Sequence, residues 1–213
     1  MENEKKRKWY SIFYLICIVL FLSSIPFSML INNNKISYLL SLLFKIIALV
    51  YSIYYIKKDG LDKPLIEKPK IKNLILIPLI ILCFSNIIFA FITNINFNEN
   101  INYYVIINLI IETVFIAINE EILFRGLLFN EFKKSQNIFF AVLFQGLIFG
   151  ATHLLNITSL SVIPTILVQM LYTTFLGIIL GIIYQKTNNI IFPIIYHFLF
   201  NVINNILASN LFN

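Results

Sequence analysis

Seven stretches of this chain stay apolar for about twenty residues each, and that removes most folds from consideration. They run over 10–31, 37–56, 73–95, 102–129, 138–156, 160–184 and 190–208. Inside a bilayer no water satisfies the backbone N–H and C=O groups. Each stretch must therefore close its own hydrogen bonds as a helix. The expected fold is all-α, a polytopic transmembrane helix bundle of about seven spans forming one transmembrane domain over 1–213. Composition agrees, since 59% of residues are hydrophobic and only 12% are charged. The first span follows basic residues, as a signal peptide does, but its apolar run of about 22 residues suits a retained span better.

The net charge of +6 does not point to nucleic acid, because of where the cations sit. Lys5, Lys6, Arg7 and Lys8 precede the first span, and Lys57, Lys58, Lys63, Lys68, Lys70 and Lys72 share one polar loop. With the N-terminus inside, thirteen of the sixteen Lys and Arg residues fall in inside segments and only Lys35 falls outside. This is the positive-inside pattern of a multi-pass protein of the cell membrane with a cytoplasmic N-terminus. The lipid bilayer is the expected partner of its outer faces. Cys17 and Cys83 lie in apolar runs without CxxC spacing, which argues against a disulfide framework or a thiolate metal site.

Charge inside the spans is the functional signal. Glu120, Glu121 and Arg125 stand in the fourth apolar stretch, where an ionisable side chain costs several kcal/mol unless it is paired or wet. Glu121 and Arg125 are four residues apart and can pair on a helix. Glu120 lies about 100° round the helix, free of that pair, and could serve as a general base. The alternative is a purely structural ion cluster. The only two histidines, His153 and His197, also lie in spans. Phe149 and His153 share one helix face, as do His197 and Asn201. His197 and Asn201 offer two donors to one point, which suits an oxyanion. Taken singly, each of these groups could equally be a buried side chain satisfied by a neighbouring helix. At 1.5 Å per residue, Glu120 lies ~15 Å in from Asn130, His153 ~22 Å from Ile138 and His197 ~10 Å from Ile190. Tilted helices are needed to bring the three to one depth. Gly146 and Gly150 leave a small-residue strip for close helix approach. Lys45 can pair with Glu112, and Gln145, Asn204 and Asn205 are candidate interhelical hydrogen bonders.

The ordered set Glu120-Glu121-Ile-Leu-Phe-Arg125, Phe149-xxx-His153 and His197-xxx-Asn201 resembles the signature of the CAAX-protease and bacteriocin-processing family, also called the Abi family. That family includes the type II CAAX prenyl endopeptidases. The resemblance covers roughly residues 110–205 and places catalytic core helices over 102–208. It implies an intramembrane endopeptidase with a conical intramembrane cavity, acting on a peptide or protein substrate at the membrane. Carried over, Glu120 and His153 activate a water, and His197 and Asn201 form the oxyanion hole. Glu121, Arg125 and Phe149 support them. No cofactor is expected. Zinc held by Glu120, His153 and His197 is the open alternative, although HExxH is missing. Two other functions compete: a non-catalytic immunity or scaffold protein of the same fold, and a small transporter using the buried Glu and His as a proton relay.

Overall fold

The computed structural model describes residues 34–58, 103–157 and 159–211, together with Ile18. Apart from Ile18, the spans expected at 10–31 and 73–95 lie outside the described residues, as do the N-terminal cations and the lysines of 63–72. Within them the chain is all-helical. Three helical stretches are long and apolar enough to cross a membrane: Lys35–Lys58, Ile138–Asn156 and Leu160–Thr187. They coincide with the expected spans at 37–56, 138–156 and 160–184.

Helix α1 (Asn34–Lys58) ends on Lys57 and Lys58, whose charges complement the negative end of the helix dipole. The stretch expected to be one helix over 102–129 is instead composite. Helix α2 (Tyr103–Glu121) passes into a π-helix over Ile122–Phe129, and α3 (Asn130–Ser135) follows. All eight residues of the π segment are buried, so it lies at the centre of the protein and not at its lipid face. An i→i+5 ladder leaves carbonyls mismatched where it rejoins an α-helix. Here the Asn130 side-chain amide closes that gap, donating to the Gly126 carbonyl at 2.9 Å and to Tyr184 Oη at 3.1 Å.

Helix α4 (Ile138–Thr152) begins where Asn137 accepts a hydrogen bond from Phe140 N–H at 3.0 Å, an N-cap. It tightens into a 3₁₀ turn over His153–Asn156. A second short 3₁₀ turn (Leu160–Val162) leads into α5 (Ile163–Thr187), which has Pro164 in its first turn, where a missing N–H costs nothing. Asn188 ends α5 in the left-handed region at φ 48°, and its N–H donates to Tyr184 O at 2.8 Å. Asn189 Oδ1 then accepts from Ile191 N–H at 2.9 Å and starts α6 (Ile191–Leu211). The turn after α5 is thus built by Thr187 and Asn189, short polar side chains that bond the backbone locally.

Helix α2 packs against α1 and α6, and α5 packs against α4 and α6. The α4–α5 contact is the closest, because glycines face it from both sides. A Cβ on Gly177 would stand 3.0 Å from Gly146 Cα, and one on Gly146 would stand 2.9 Å from the Ile178 backbone nitrogen. Small residues admit this approach where lipid supplies no hydrophobic drive for helix association. Beside the π segment, Phe124 meets Phe149 edge-on at 5.0 Å, so the core between α2, α4 and α5 is filled by rings.

Candidate functional site

The junction of α2 with the π segment places Glu120, Glu121 and Arg125 at the centre of the protein. Arg125 is fully buried. It donates to Glu121 Oε1 at 2.7 Å and to the Gly177 carbonyl of α5 at 3.0 Å. Its guanidinium also lies 4.9 Å from the centroid of the Phe149 ring. The i, i+4 pair is therefore present, and it ties the α2–π unit to α4 and α5. Gln145 of α4 donates to the same Gly177 carbonyl at 2.8 Å, so that one oxygen takes two buried donors.

Phe149 is the hub of the site. Its ring meets His153 edge-on at 5.5 Å and His197 edge-on at 5.6 Å. Both imidazoles thus rest on one ring, although linear spacing along their helices sets them apart. The Phe149 carbonyl faces His153 Nδ1 at 3.2 Å. A carbonyl only accepts, so Nδ1 carries the proton there and Nε2 is the free ring nitrogen. His153 itself sits at the start of the 3₁₀ turn and is half-buried.

His197, on α6, is buried and stands between the two glutamates. Its Nδ1 is 2.8 Å from Glu121 Oε1, and its Nε2 is 3.6 Å from Glu120 Oε2. The same Glu121 oxygen therefore takes both Arg125 and His197. The two carboxylates differ in access: the Glu121 side chain is 0% exposed and the Glu120 side chain 22%. Glu120 is thus the carboxylate with a surface to offer, whereas Glu121 is enclosed by its partners. Asn201 follows His197 by one turn and is half-buried.

Among the described residues, no three His, Cys, Asp or Glu side chains are arranged to hold a metal ion. Glu120, His153 and His197 do not form such a set in this arrangement. A second polar cluster lies two turns earlier on α2, at Glu112. Lys45 Nζ stands 3.4 Å from Glu112 Oε1 and donates to Ser41 Oγ at 2.6 Å. Asn119 donates to the Lys45 carbonyl at 3.0 Å, linking α1 to the residue just before Glu120.

Sequence spacing brings Glu121 to Arg125 and Phe149 to His153, each within one helix. It does not reveal that Glu121 meets His197, which is 76 residues away, or that Gln145 and Arg125 converge on Gly177. Asn119 also escapes notice, although a third polar residue beside two glutamates inside an apolar stretch is a signal of its own. No curated protein and no solved structure matches the chain. Three apolar helices of spanning length make it a membrane protein, and the motif residues all fall within one matched segment. Residues 101–203 match the sequence model of the family described as type II CAAX prenyl endopeptidase Rce1-like, a protease family.

Proposed function

We propose that the protein is an intramembrane endopeptidase that hydrolyses a peptide bond of a membrane-associated protein or peptide. The observation that carries this is the pairing of an accessible carboxylate, Glu120, with a buried imidazole, His197, beside a second imidazole, His153, across one aromatic ring. The family's printed name, prenyl endopeptidase, supports a lipid-anchored peptide as the substrate class. A seven-span bundle with a conical cavity open to the inner face would admit such a chain while its lipid stays in the bilayer.

In the proposed reaction Glu120 takes a proton from a water that the free Nε2 of His153 orients. The resulting hydroxide oxygen bonds the scissile carbonyl carbon. The reaction requires the His197 ring to hold a proton on each nitrogen, Nδ1 facing Glu121 and Nε2 facing the substrate. The ring donates from Nε2 to the new oxyanion, with the Asn201 amide as second donor. Collapse of the tetrahedral adduct breaks the C–N bond, and the proton held by Glu120 passes to the leaving amine. No step uses a metal.

The test is purified full-length protein in lipid nanodiscs, incubated with a farnesylated CAAX-type peptide and its unlipidated counterpart. Products are read by mass spectrometry. Internal cleavage that depends on Glu120 and survives chelation is expected. Stoichiometric zinc that His153→Ala removes would overturn the metal-free mechanism. Unchanged cellular phenotype after replacing Glu120, His153 and Asn201 would favour an immunity or scaffold role instead.

A further inference from the structure

The proposed reaction needs His197 to present one particular nitrogen to the substrate, and nothing in α6 itself selects it. The selection comes from the neighbouring helix. Glu121 Oε1 lies 2.8 Å from His197 Nδ1 and 2.7 Å from Arg125 Nη1. A carboxylate locked to a guanidinium is an acceptor only, so the imidazole must supply the proton to that contact. Nδ1 is then committed, and Nε2 is the nitrogen left facing Glu120 at 3.6 Å. That gap is too long for a hydrogen bond, so Nε2 is not consumed by the resting contact. Glu121 and Arg125 are both fully buried, so the contact lies away from the protein surface.

We infer that Glu121 is a positioning residue for His197: it fixes the Nδ1 proton and turns Nε2 toward Glu120 and the scissile carbonyl, while Arg125 holds Glu121 in its acceptor state. This inference rests on the endopeptidase reading. It gives Glu121 a task beyond joining helices. The alternative, in which the Glu121–Arg125 pair only anchors the π segment to α5, predicts that any well-packed replacement of the pair preserves both the ring and the rate.

The experiment labels the two histidines of the full-length protein with ¹⁵N in nanodiscs and reads their ring nitrogens by NMR. His153→Gln assigns the signals. In the wild type His197 Nδ1 is expected to carry a proton; a bare Nδ1 overturns the inference without any variant. Two paired replacements avoid leaving a lone buried charge. Glu121→Leu with Arg125→Met removes the acceptor. It should strip the proton from His197 Nδ1, leave His153 unchanged and lower kcat about 10–100-fold with little change in KM. Glu121→Gln with Arg125→Met keeps an acceptor oxygen. It should restore the Nδ1 proton and recover about tenfold of the rate, a direction fixed by the same acceptor logic. Wild-type kcat in the folded Leu/Met protein, or a retained Nδ1 proton, overturns the inference. If the Leu/Met protein does not fold, the wild-type and Gln/Met spectra decide alone, and a bare Nδ1 in either is contrary. A protonated His197 Nδ1 in a chain that cleaves nothing sinks the endopeptidase reading, and with it the positioning role. A bare His197 Nδ1 in an active chain sinks the positioning role alone.

Discussion

Arg125→Ala removes a guanidinium from beside a carboxylate that is itself fully enclosed. Glu121 Oε1 would keep His197, and the Gly177 carbonyl would keep Gln145, so neither acceptor is stripped bare. The dominant cost is therefore the charge left on Glu121 without its guanidinium, worth about 3–5 kcal/mol for a buried pair broken on one side. The lost contact with the Phe149 ring and the vacated volume act in the same direction, so the upper half of that range is expected. For a chain of this size each kcal/mol shifts Tm by roughly 2–4 °C, which makes the predicted drop about 8–20 °C. Melting in detergent, followed by the monodisperse fraction surviving size exclusion after heating, measures it directly. Adding Glu121→Gln to the same protein should recover most of the loss, since no ion then remains unpaired. An Arg125→Ala protein melting within about 2 °C of the wild type, less than the shift for 1 kcal/mol in a chain of this size, would refute the argument. It would mean that Glu121 does not depend on the guanidinium.

Two further perturbations probe the packing and the oxyanion donors. Gly150→Ala should destabilise the α4–α5 contact by about 1–3 kcal/mol, as overpacked sites do. A Cβ there would overlap Thr174 Oγ1 and stand 2.7 Å from the Met170 carbonyl oxygen, so adding Thr174→Ala should rescue it only in part. Full rescue in the melting assay would show that the backbone is not the obstacle. Asn201→Ala should lower turnover about 10²–10³-fold with little effect on substrate affinity, as loss of one oxyanion donor does. A pure KM effect in steady-state kinetics would instead make Asn201 a substrate contact.

How far the molecule can be read from its residues depends on which contacts are local. The apolar runs at 37–56, 138–156 and 160–184 announce helices because hydropathy acts residue by residue. The Glu121–Arg125 and Phe149–His153 pairs follow from helical spacing alone. The N-cap at Asn137 and the left-handed Asn188 sit where short polar side chains interrupt apolar sequence. The π-helix over Ile122–Phe129 has no such signature. Every residue in it is buried, its one charged residue Arg125 included, so no solvent-facing stripe reveals a change of period. The contact of Glu121 with His197 is equally hidden, because it joins two helices whose mutual rotation is decided by packing. Linear depth separates the two histidines by about half a span, yet both rings rest on Phe149. Helix convergence accounts for the difference, and spacing along one helix carries no information about it.

The most direct test of proteolysis through Glu120 is the turnover of Glu120→Gln. The side chain is partly exposed, and His197 Nε2 stands 3.6 Å away, beyond hydrogen-bond distance, so the amide should be accommodated with wild-type melting. An amide cannot take the proton of the attacking water. Purified wild-type and variant protein in nanodiscs, given the same membrane-anchored peptide, should therefore differ completely: cleavage by the first and none by the second, at equal folded concentration. Cleavage by Glu120→Gln at the wild-type rate would contradict the assignment of Glu120 as the base.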